Sequence, residues 1–297
     1  MEVLLVLLLA TSLAPLTHAE NLAERYAASG ELIITQFQTA PFPHPARADG
    51  HKYKDEFFSA KESYSDSTVA IFIPKGFHET GKIDLVVHFH GWDNNVTAAL
   101  KKYELIEQLV ESKRNAILVI PQGPRNASDS FGGKLEDTNG FKRFVSETME
   151  TLRQKSSLKR TEFELGKIVL SGHSGGYRVM GAIVDHGGLS DHVREVWLFD
   201  ALYAETEQFL AWFDRYHGRL LNIYTEHGGT KEETEKLMGL LKDRKTAFWA
   251  GKESAIQSND LKACQPIFIF TELPHDAVLK AHRTFRQFLE TSCLSEK

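Results

Sequence analysis

The chain has 297 residues, a length that fits one large α/β domain or two small ones. Its content of 42% hydrophobic and 25% charged residues is typical of a globular protein with enough apolar side chains for a core. The net charge of −5, with no block of basic residues, disfavours binding to nucleic acid or to an anionic membrane surface.

The first residues have the pattern of a secretory signal. An apolar run at 3–10 is too short to span a bilayer, and Thr17-His18-Ala19 provides a site for cleavage before Glu20. We therefore predict a signal peptide at 1–19, a mature chain of 20–297, and a secreted or periplasmic location. Glu2 stands where a basic residue is usual, so an uncleaved anchor remains an alternative. No later segment reads as membrane-spanning.

Two further features depend on export. Cys264 and Cys293 are the two cysteines, and in an oxidising compartment they are candidates for a disulfide, with free thiols as the alternative. Sequons begin at Asn95 and Asn126, which predicts glycosylation only in a eukaryotic host.

The first half of the chain alternates apolar runs with amphipathic segments. We predict strands at 31–37, 68–73, 85–89 and 115–120, and helices at 100–112 and 141–155. A proline-rich loop occupies 40–45, and a loop at 121–140 follows a strand end, where active-site walls are usual.

The strand at 85–89 leads into a stretch that contains three potential metal ligands. His88, His90 and Asp93 resemble the H-x-H-x-D run of binuclear metallohydrolases, but the spacing is off by one and no further histidine follows. Two other interpretations of the histidines stay open: packing in the core, or a backbone loop that binds an oxyanion.

The pattern of residues 167–184 predicts a strand, a tight turn and a helix, with G-x-S-x-G at the turn. A serine held on such a turn has a strained backbone and an exposed hydroxyl, and its flanking positions need glycine for lack of space. Ser174 is therefore a candidate nucleophile, between Gly172 and Gly176. The N–H groups at the start of the helix face any oxyanion that forms beside it.

The second half continues the alternation. We predict strands at 195–200, 220–226 and 266–271, and helices at 209–216, 231–244 and 277–291. These spacings permit right-handed crossovers, which predicts a mostly parallel central sheet with helices on both faces. No linker divides the chain, so we predict a single domain. The connection at 226–265 is long enough to form a modest cap on it.

The motif at 172–176 in this context resembles the α/β-hydrolase superfamily, in particular secreted serine esterases and polyester depolymerases. The resemblance covers residues 69–289. It implies the α/β-hydrolase fold, with Ser174 as nucleophile and an oxyanion hole formed by the N–H groups of Gly175 and the Gly91-Trp92 loop.

The resemblance also implies an acid and then a histidine after the serine in the chain. His275 follows the last predicted strand, which is the position of the base. Asp200 and Glu226 each end a strand, and Asp200 is our choice because a short carboxylate suits a buried site and because Phe199-Asp200-Ala201 resembles the acid context of some lipases. Glu226 is the alternative acid, and Asp276 a third.

The expected function is ester hydrolysis by a secreted serine hydrolase through an acyl-enzyme, without metal or organic cofactor. The substrate is a small-molecule or polymeric ester, with Trp92, Phe131 and Tyr177 as candidate pocket residues. Three alternatives stay open: a peptidase or carboxypeptidase, for which Arg178 and Arg125 would bind a carboxylate; an acyltransferase; and a catalytically inactive binding protein with the same fold.

Overall fold

A computed structural model describes residues 22–160 and 162–297. The predicted signal peptide and residues 20–21 of the predicted domain lie outside this part. The strands are β1 (Gly30–Gln36), β2 (His51–Tyr53), β3 (Glu56–Phe58), β4 (Thr68–Pro74), β5 (Lys82–Phe89), β6 (Ile117–Pro121), β7 (Glu164–His173), β8 (Val193–Phe199), β9 (Arg219–Thr225), β10 (Trp249–Lys252) and β11 (Ile267–Thr271).

Helices connect most of these strands. They are α1 (22–26), α2 (Ala60–Ser63), α3 (Val96–Tyr103), α4 (Leu105–Ser112), α5 (Gly140–Lys155), α6 (Tyr177–His186), α7 (Thr206–Tyr216), α8 (Lys231–Asp243), α9 (Ser258–Leu261) and α10 (Thr284–Glu290). Among the described residues, no helix combines the length and apolar character that a membrane crossing requires.

Within the described part, nine strands form one sheet in the order β1-β4-β6-β5-β7-β8-β9-β11-β10, and β2 pairs with β3 in a separate hairpin. β4 runs antiparallel to its neighbours β1 and β6, and the other neighbouring strands are parallel. The predicted mostly parallel sheet is confirmed. Its central strands are buried on both faces, which is why β6 and β9 are buried along their whole length.

Helices cover both faces of the sheet, as predicted. On one face, α5 to α8 contribute side chains such as Phe144 and Ile183 to one hydrophobic cluster. On the other, α3, α4 and α10 contribute Leu100, Leu109 and Phe285 to a second cluster. Each helix buries an apolar stripe against the strands, so the carboxyl ends of the parallel strands stay free to carry a site.

Two predicted helices are broken. The segment 100–112 lies in two helices, α3 and α4, because Glu104 adopts a left-handed backbone with φ 50°. The Glu104 carboxylate holds this joint by bonding to Lys280 Nζ at 2.8 Å and to Arg283 Nη1 at 2.6 Å. The segment 277–291 is also interrupted, since His282 and Arg283 have φ of 56° and 57°, and α10 begins only at Thr284.

The connection 226–265 contains α8, β10 and α9. β10 lies parallel to β11 and so extends the sheet by one strand. No pattern in the sequence indicated β10, which has four residues and an incomplete apolar run.

The predicted disulfide is absent from the structure: Cys264 and Cys293 are free thiols, both exposed. The course of the chain at Cys293 is fixed by its backbone N–H, which donates to Glu195 Oε1 at 2.5 Å, so the C-terminal segment is held without a covalent link. At the sequons, the Asn95 amide donates to Asn126 Oδ1 at 2.8 Å and also accepts the Ala98 N–H at the start of α3.

Candidate active site

The turn between β7 and α6, here called the elbow (residues 172–176), places Ser174 at the carboxyl edge of the sheet. Ser174 has φ 51°, a strained value for a residue with a side chain. Its neighbours have no space for one: a Cβ added at Gly172 would lie 2.4 Å from Met180 Sδ, and one at Gly176 would lie 2.8 Å from the Phe89 carbonyl oxygen. Close packing against backbone therefore requires glycine at 176, whereas a side chain at 172 would fit only if the buried Met180 side chain moved.

Asp200 follows β8 and is fully buried. His275 Nδ1 donates to its Oδ2 at 2.6 Å. Thr225 donates its hydroxyl to Oδ2 at 2.7 Å and its N–H to Oδ1 at 3.2 Å, and the Thr230 hydroxyl also donates to Oδ1. Burial alone would raise the pKa of Asp200, but the hydrogen bonds from His275, Thr230 and Thr225 outweigh it, and the pKa lies below its ordinary value.

The two other candidate acids have different partners. Both oxygens of Glu226 accept from Lys231 Nζ, at 2.7 and 2.9 Å, on the exposed surface. Asp276 lies 3.0 Å from Lys102 Nζ. In the structure it is therefore the carboxylate of Asp200 that meets His275, and the alternative acid Glu226 does not.

The histidine lies beside the elbow. The ring of His173, the residue before Ser174, has its centroid 4.6 Å from that of His275. His173 Nε2 donates to the His275 carbonyl oxygen at 3.1 Å. The side chain of His275 is 30% exposed, so a substrate can reach it.

The predicted oxyanion loop also meets the elbow. A Cβ added at Gly91 would lie 2.6 Å from Ser174 Cβ and 3.2 Å from Ser174 Oγ, so the backbone of Gly91 passes directly by the serine. The carbonyl of Gly91 accepts from His90 Nδ1 at 2.8 Å. Because a trans peptide directs its N–H opposite to its carbonyl, the Trp92 N–H points away from the buried His90 ring.

His90 holds this peptide in one orientation. The Gly123 N–H donates to His90 Nε2 at 3.0 Å, and the Gln122 amide donates to it at 2.9 Å, so the ring proton lies on Nδ1. Burial lowers the pKa of His90, which keeps the ring neutral and this arrangement fixed near neutral pH.

Aromatic side chains border the elbow. Trp92 is 38% exposed, and its Nε1 donates to Ser130 Oγ at 2.7 Å. A Cβ at Gly175 would lie 2.6 Å from Trp92 Cδ1, which shows how closely the indole covers the elbow. Tyr177 is the first residue of α6, directly after the elbow, and its ring lies 5.6 Å from that of Tyr203.

Phe131 differs from the other two predicted pocket residues because it is buried. Two guanidinium groups lie near its ring, that of Arg47 at 4.7 Å and that of Arg178 at 5.1 Å from the centroid. It borders a cavity of about 20 Å³ beside Gly175, with room for roughly one water molecule. Of the three predicted pocket residues, Trp92 is the exposed one, Tyr177 is half-buried, and Phe131 lies in the wall of this small cavity.

The rival metal site is not assembled, because its three residues have separate partners. His88 Nδ1 lies 2.9 Å from Ser171 Oγ, and His90 binds Gly91 and Gly123. Asp93 accepts from Ser128 Oγ at 3.0 Å. Among the described residues, no group of three or more His, Cys, Asp or Glu side chains is arranged to hold a metal ion.

Several residues of the site were not found in the sequence. Thr225 and Thr230 donate hydrogen bonds to the Asp200 carboxylate, and no local signal in the sequence indicates that they do. Tyr203 lies next to Ser174: burial raises its pKa to about 12, and the Ser174 hydroxyl partly offsets that rise. The one missed residue with a signal is His173, a polar residue at the end of a buried strand inside the motif itself.

Neither the protein-family models nor the curated protein sequences contain a match to this chain. Solved structures do match. A ferulic acid esterase superposes with TM-score 0.56 at 10% identity, covering 88% of this chain and 98% of its own. A feruloyl esterase module from Clostridium thermocellum in complex with sinapinate gives 0.52 at 11% identity, with 89% and 88% covered.

A third similar structure is FphF, a fluorophosphonate-binding serine hydrolase of Staphylococcus aureus with substrate bound. It superposes with TM-score 0.51 at 10% identity, covering 89% of this chain and 99% of its own. At these identities the likeness concerns the fold. Together with the sheet order and the position of the elbow, it shows that the chain has the α/β-hydrolase fold.

Proposed function

We propose that the chain is a serine hydrolase that cleaves carboxylic esters, with Ser174 as nucleophile, His275 as base and Asp200 as the acid that orients it. The observation that carries the proposal is the 2.6 Å hydrogen bond from His275 to the buried Asp200, next to an elbow that holds Ser174 at φ 51°. The similarity of fold to serine hydrolases and esterases supports the same function.

The hydrogen bond to Asp200 determines what His275 does. Because Nδ1 carries the proton that is donated to Asp200, Nε2 is the free acceptor and takes the Ser174 proton as Oγ attacks the ester carbonyl. The tetrahedral intermediate then expels the alcohol, which receives that proton from Nε2, and an acyl-enzyme remains. His275 Nε2 then takes a proton from water as the water oxygen attacks the acyl carbonyl, and when the bond to Ser174 Oγ breaks, Oγ receives that proton and the carboxylic acid is released. This scheme uses no metal or organic cofactor.

The developing oxyanion needs donors that are already in place. The N–H groups of Gly175 and Trp92 are the proposed pair, since Gly91 passes directly by Ser174 and His90 fixes the peptide that carries the Trp92 N–H. Loss of one such donor typically costs about 3 to 4 kcal/mol of transition-state stabilisation.

The surroundings of Ser174 favour an acyl group that lies on open aromatic surface. The cavity behind Gly175, of about 20 Å³, is too small for an acyl chain, whereas Trp92 is 38% exposed. We therefore propose a small-molecule or polymeric ester whose acyl part packs on Trp92 and Tyr177.

A carboxypeptidase would need a free cation to bind a peptide carboxylate. Arg178 lies 3.0 Å from Glu136, and Arg125 lies 3.5 Å from Asp66, so both candidate guanidinium groups already have carboxylate partners. This favours ester hydrolysis over the carboxypeptidase alternative. An acyltransferase would use the same residues with another acceptor, and an inactive binding protein would use none of them.

A fluorophosphonate probe tests the proposal. Wild-type protein should be labelled on Ser174 and should hydrolyse p-nitrophenyl esters, whereas Ser174→Ala should lose both properties, by several orders of magnitude in kcat. Ser146→Ala, which removes an exposed hydroxyl on α5, is the matched control and should keep both. Labelling or hydrolysis that persists in Ser174→Ala would show that another group is the nucleophile.

Two further measurements distinguish the alternatives. A matched anilide separates peptidase from esterase activity, and an added alcohol acceptor reveals acyl transfer as a new ester product. A protein that neither reacts with the probe nor turns over any of these substrates would fit the inactive binding protein.

We also propose that the protein is exported, on the basis of the apolar run at 3–10 and the small residues before Glu20. Export should yield a mature chain that begins near Glu20, which N-terminal sequencing of protein from the medium or periplasm measures. A chain that still begins at Met1 would contradict the proposal.

A further inference from the structure

His173 belongs to the elbow and contacts the segment that carries the proposed base. Its Nε2 is 3.1 Å from the carbonyl oxygen of His275, and its Nδ1 is 3.1 Å from the hydroxyl of Tyr103. A carbonyl oxygen only accepts, so Nε2 carries the ring proton and Nδ1 must accept from Tyr103. The two hydrogen bonds therefore specify one tautomer of His173.

The surroundings keep His173 in that form. His173 and Tyr103 are both buried. Burial lowers the pKa of His173 to about 4, with a smaller contribution in the same direction from His275. Burial raises the pKa of Tyr103 well above its ordinary value, so its hydroxyl keeps its proton. Near neutral pH, the Tyr103 hydroxyl therefore stays protonated and donates to His173, and the His173 ring stays neutral.

His173 contacts the main chain of His275, and the position of this main chain determines where the His275 ring lies. Nε2 of His173 binds the main chain of His275, while the two rings lie 4.6 Å apart at 35°. Helix α3 holds the same segment a second time, through Lys102 and Asp276 at 3.0 Å. Since His173 is the residue before Ser174, it connects the main chain of the base directly to that of the nucleophile.

From these contacts we propose that His173 is a positioning residue for His275: its Nε2–H fixes the main chain of the base relative to Ser174, and Tyr103 fixes the tautomer that makes this possible. His173 acts through His275 and does not touch the substrate. The inference rests on the proposed hydrolase function. It predicts a defect in the chemical step and little change in substrate binding, because a displacement of about 1 Å in a catalytic group costs up to about 100-fold in rate.

Three variants test it, with kcat and KM measured on one p-nitrophenyl ester. His173→Leu removes the donor and should lower kcat by about 10- to 100-fold, with KM within about threefold of wild type. His173→Gln keeps an amide N–H near the position of Nε2 and should recover most of that loss. Tyr103→Phe removes the hydroxyl that donates to His173 Nδ1, so the His173 ring is no longer held in one tautomer. We expect this substitution to lower kcat by about 3- to 10-fold in the wild-type background. It should have no effect in the His173→Leu background, because Tyr103 acts through His173.

Tyr26→Phe is the matched control for Tyr103→Phe. Tyr26 is also buried, in the same hydrophobic cluster, and its hydroxyl has no partner among the described residues. It should leave kcat unchanged. Urea unfolding of every variant distinguishes a loss of positioning from a loss of the folded state. If the His173→Leu protein does not fold, the inference is tested with the His173→Gln and Tyr103→Phe proteins.

Wild-type kcat in His173→Leu would overturn the inference. So would a loss that His173→Gln does not recover, or a Tyr103→Phe effect that persists in full without His173. The proposed hydrolase function fails by a different result, namely activity that survives Ser174→Ala.

Discussion

At the scale of single residues, two carboxylates illustrate how the environment decides a role. Asp200 is fully buried and accepts hydrogen bonds from His275, Thr225 and Thr230. Glu226 lies on the exposed surface, and the hydrogen bond from Lys231 lowers its pKa. A buried charge must be fully hydrogen-bonded to be stable, and that requirement fixes the Asp200 side chain in place.

Substitution of each carboxylate by its amide should therefore have different results. Asp200→Asn keeps the shape of the side chain but no longer stabilises the tautomer and charge of His275, so we expect a loss on the order of 10⁴ in kcat. Glu226→Gln should change kcat little. The measurement is kcat on one activated ester for both variants, with circular dichroism as the control for folding. An inactive Glu226→Gln together with an active Asp200→Asn would contradict this assignment.

The sequence could indicate Ser174, His275 and Asp200 because each stands at a strand end, beside local signals such as glycines or an apolar run. The residues that support them give no such signal. Thr225 and Thr230 reach Asp200 from 25 and 30 positions away, and this proximity exists only after β8 and β9 pair. The loop that contains Phe131 was predicted, but the packing of Arg47 and Arg178 against the Phe131 ring is a tertiary effect that the loop sequence does not indicate.

At the scale of elements, the loop after β5 and the elbow are packed closely enough to be sensitive to one methyl group. Gly91→Ala would place Cβ 2.6 Å from Ser174 Cβ and 3.0 Å from the His173 carbonyl oxygen, so the loop or the serine must move. We expect kcat to fall by about 10² to 10³, as for the loss of one oxyanion donor, with the fold retained.

Gly239→Ala is the matched control for this substitution. Gly239 lies within α8, and a Cβ there meets nothing within 4 Å. It should leave kcat unchanged and raise the free energy of unfolding by about 0.5 to 1 kcal/mol, because alanine favours a helix. Kinetics and urea unfolding of both variants give the comparison. Wild-type kcat in Gly91→Ala would mean that the loop does not contribute to catalysis.

The same scale explains which elements the sequence predicted well. Long apolar or amphipathic segments such as α5 and β5 were found, since a period of 3.6 or a continuous apolar run is visible locally. The break at Glu104 was missed because it depends on Lys280 and Arg283, which approach only in the folded chain. The hairpin of β2 and β3 was missed because each strand has three residues.

At the scale of the whole molecule, three buried histidines couple folding to pH. Burial lowers the pKa of His88 to about 3 and that of His173 to about 4, and it also lowers that of His90. In the unfolded chain each should titrate near about 6.5. The unfolded state therefore binds more protons below that pH. The contribution of the neutral histidines to the free energy of unfolding is fully present above about pH 6.5, and it is lost as the pH falls toward about 4.

We expect the free energy of unfolding to fall between about pH 6.5 and about pH 5, by up to roughly 1.4 kcal/mol per pH unit for each of these histidines. Urea unfolding across this range measures the slope, above the range where most carboxylates titrate. His88→Leu should reduce the slope by one histidine's share, because it removes one of the buried groups whose pKa is lowered. A stability that does not vary with pH in this range would contradict the prediction.

Within residues 22–160 and 162–297, the central sheet ends at β1 on one side and at β10 on the other, and these two edges are where another copy of the folded molecule could add a strand. An open strand edge is a template on which another chain can add a strand. At β1, the Glu31 carboxylate accepts the Ser157 N–H at 2.9 Å, and Lys155 Nζ donates to Thr35 Oγ1 at 3.0 Å. β10 has four residues, and its Lys252 pairs with Glu272 at 3.2 Å. Charge at one border and shortness at the other oppose strand addition, so crowded copies of the folded protein should not join their sheets into fibrils.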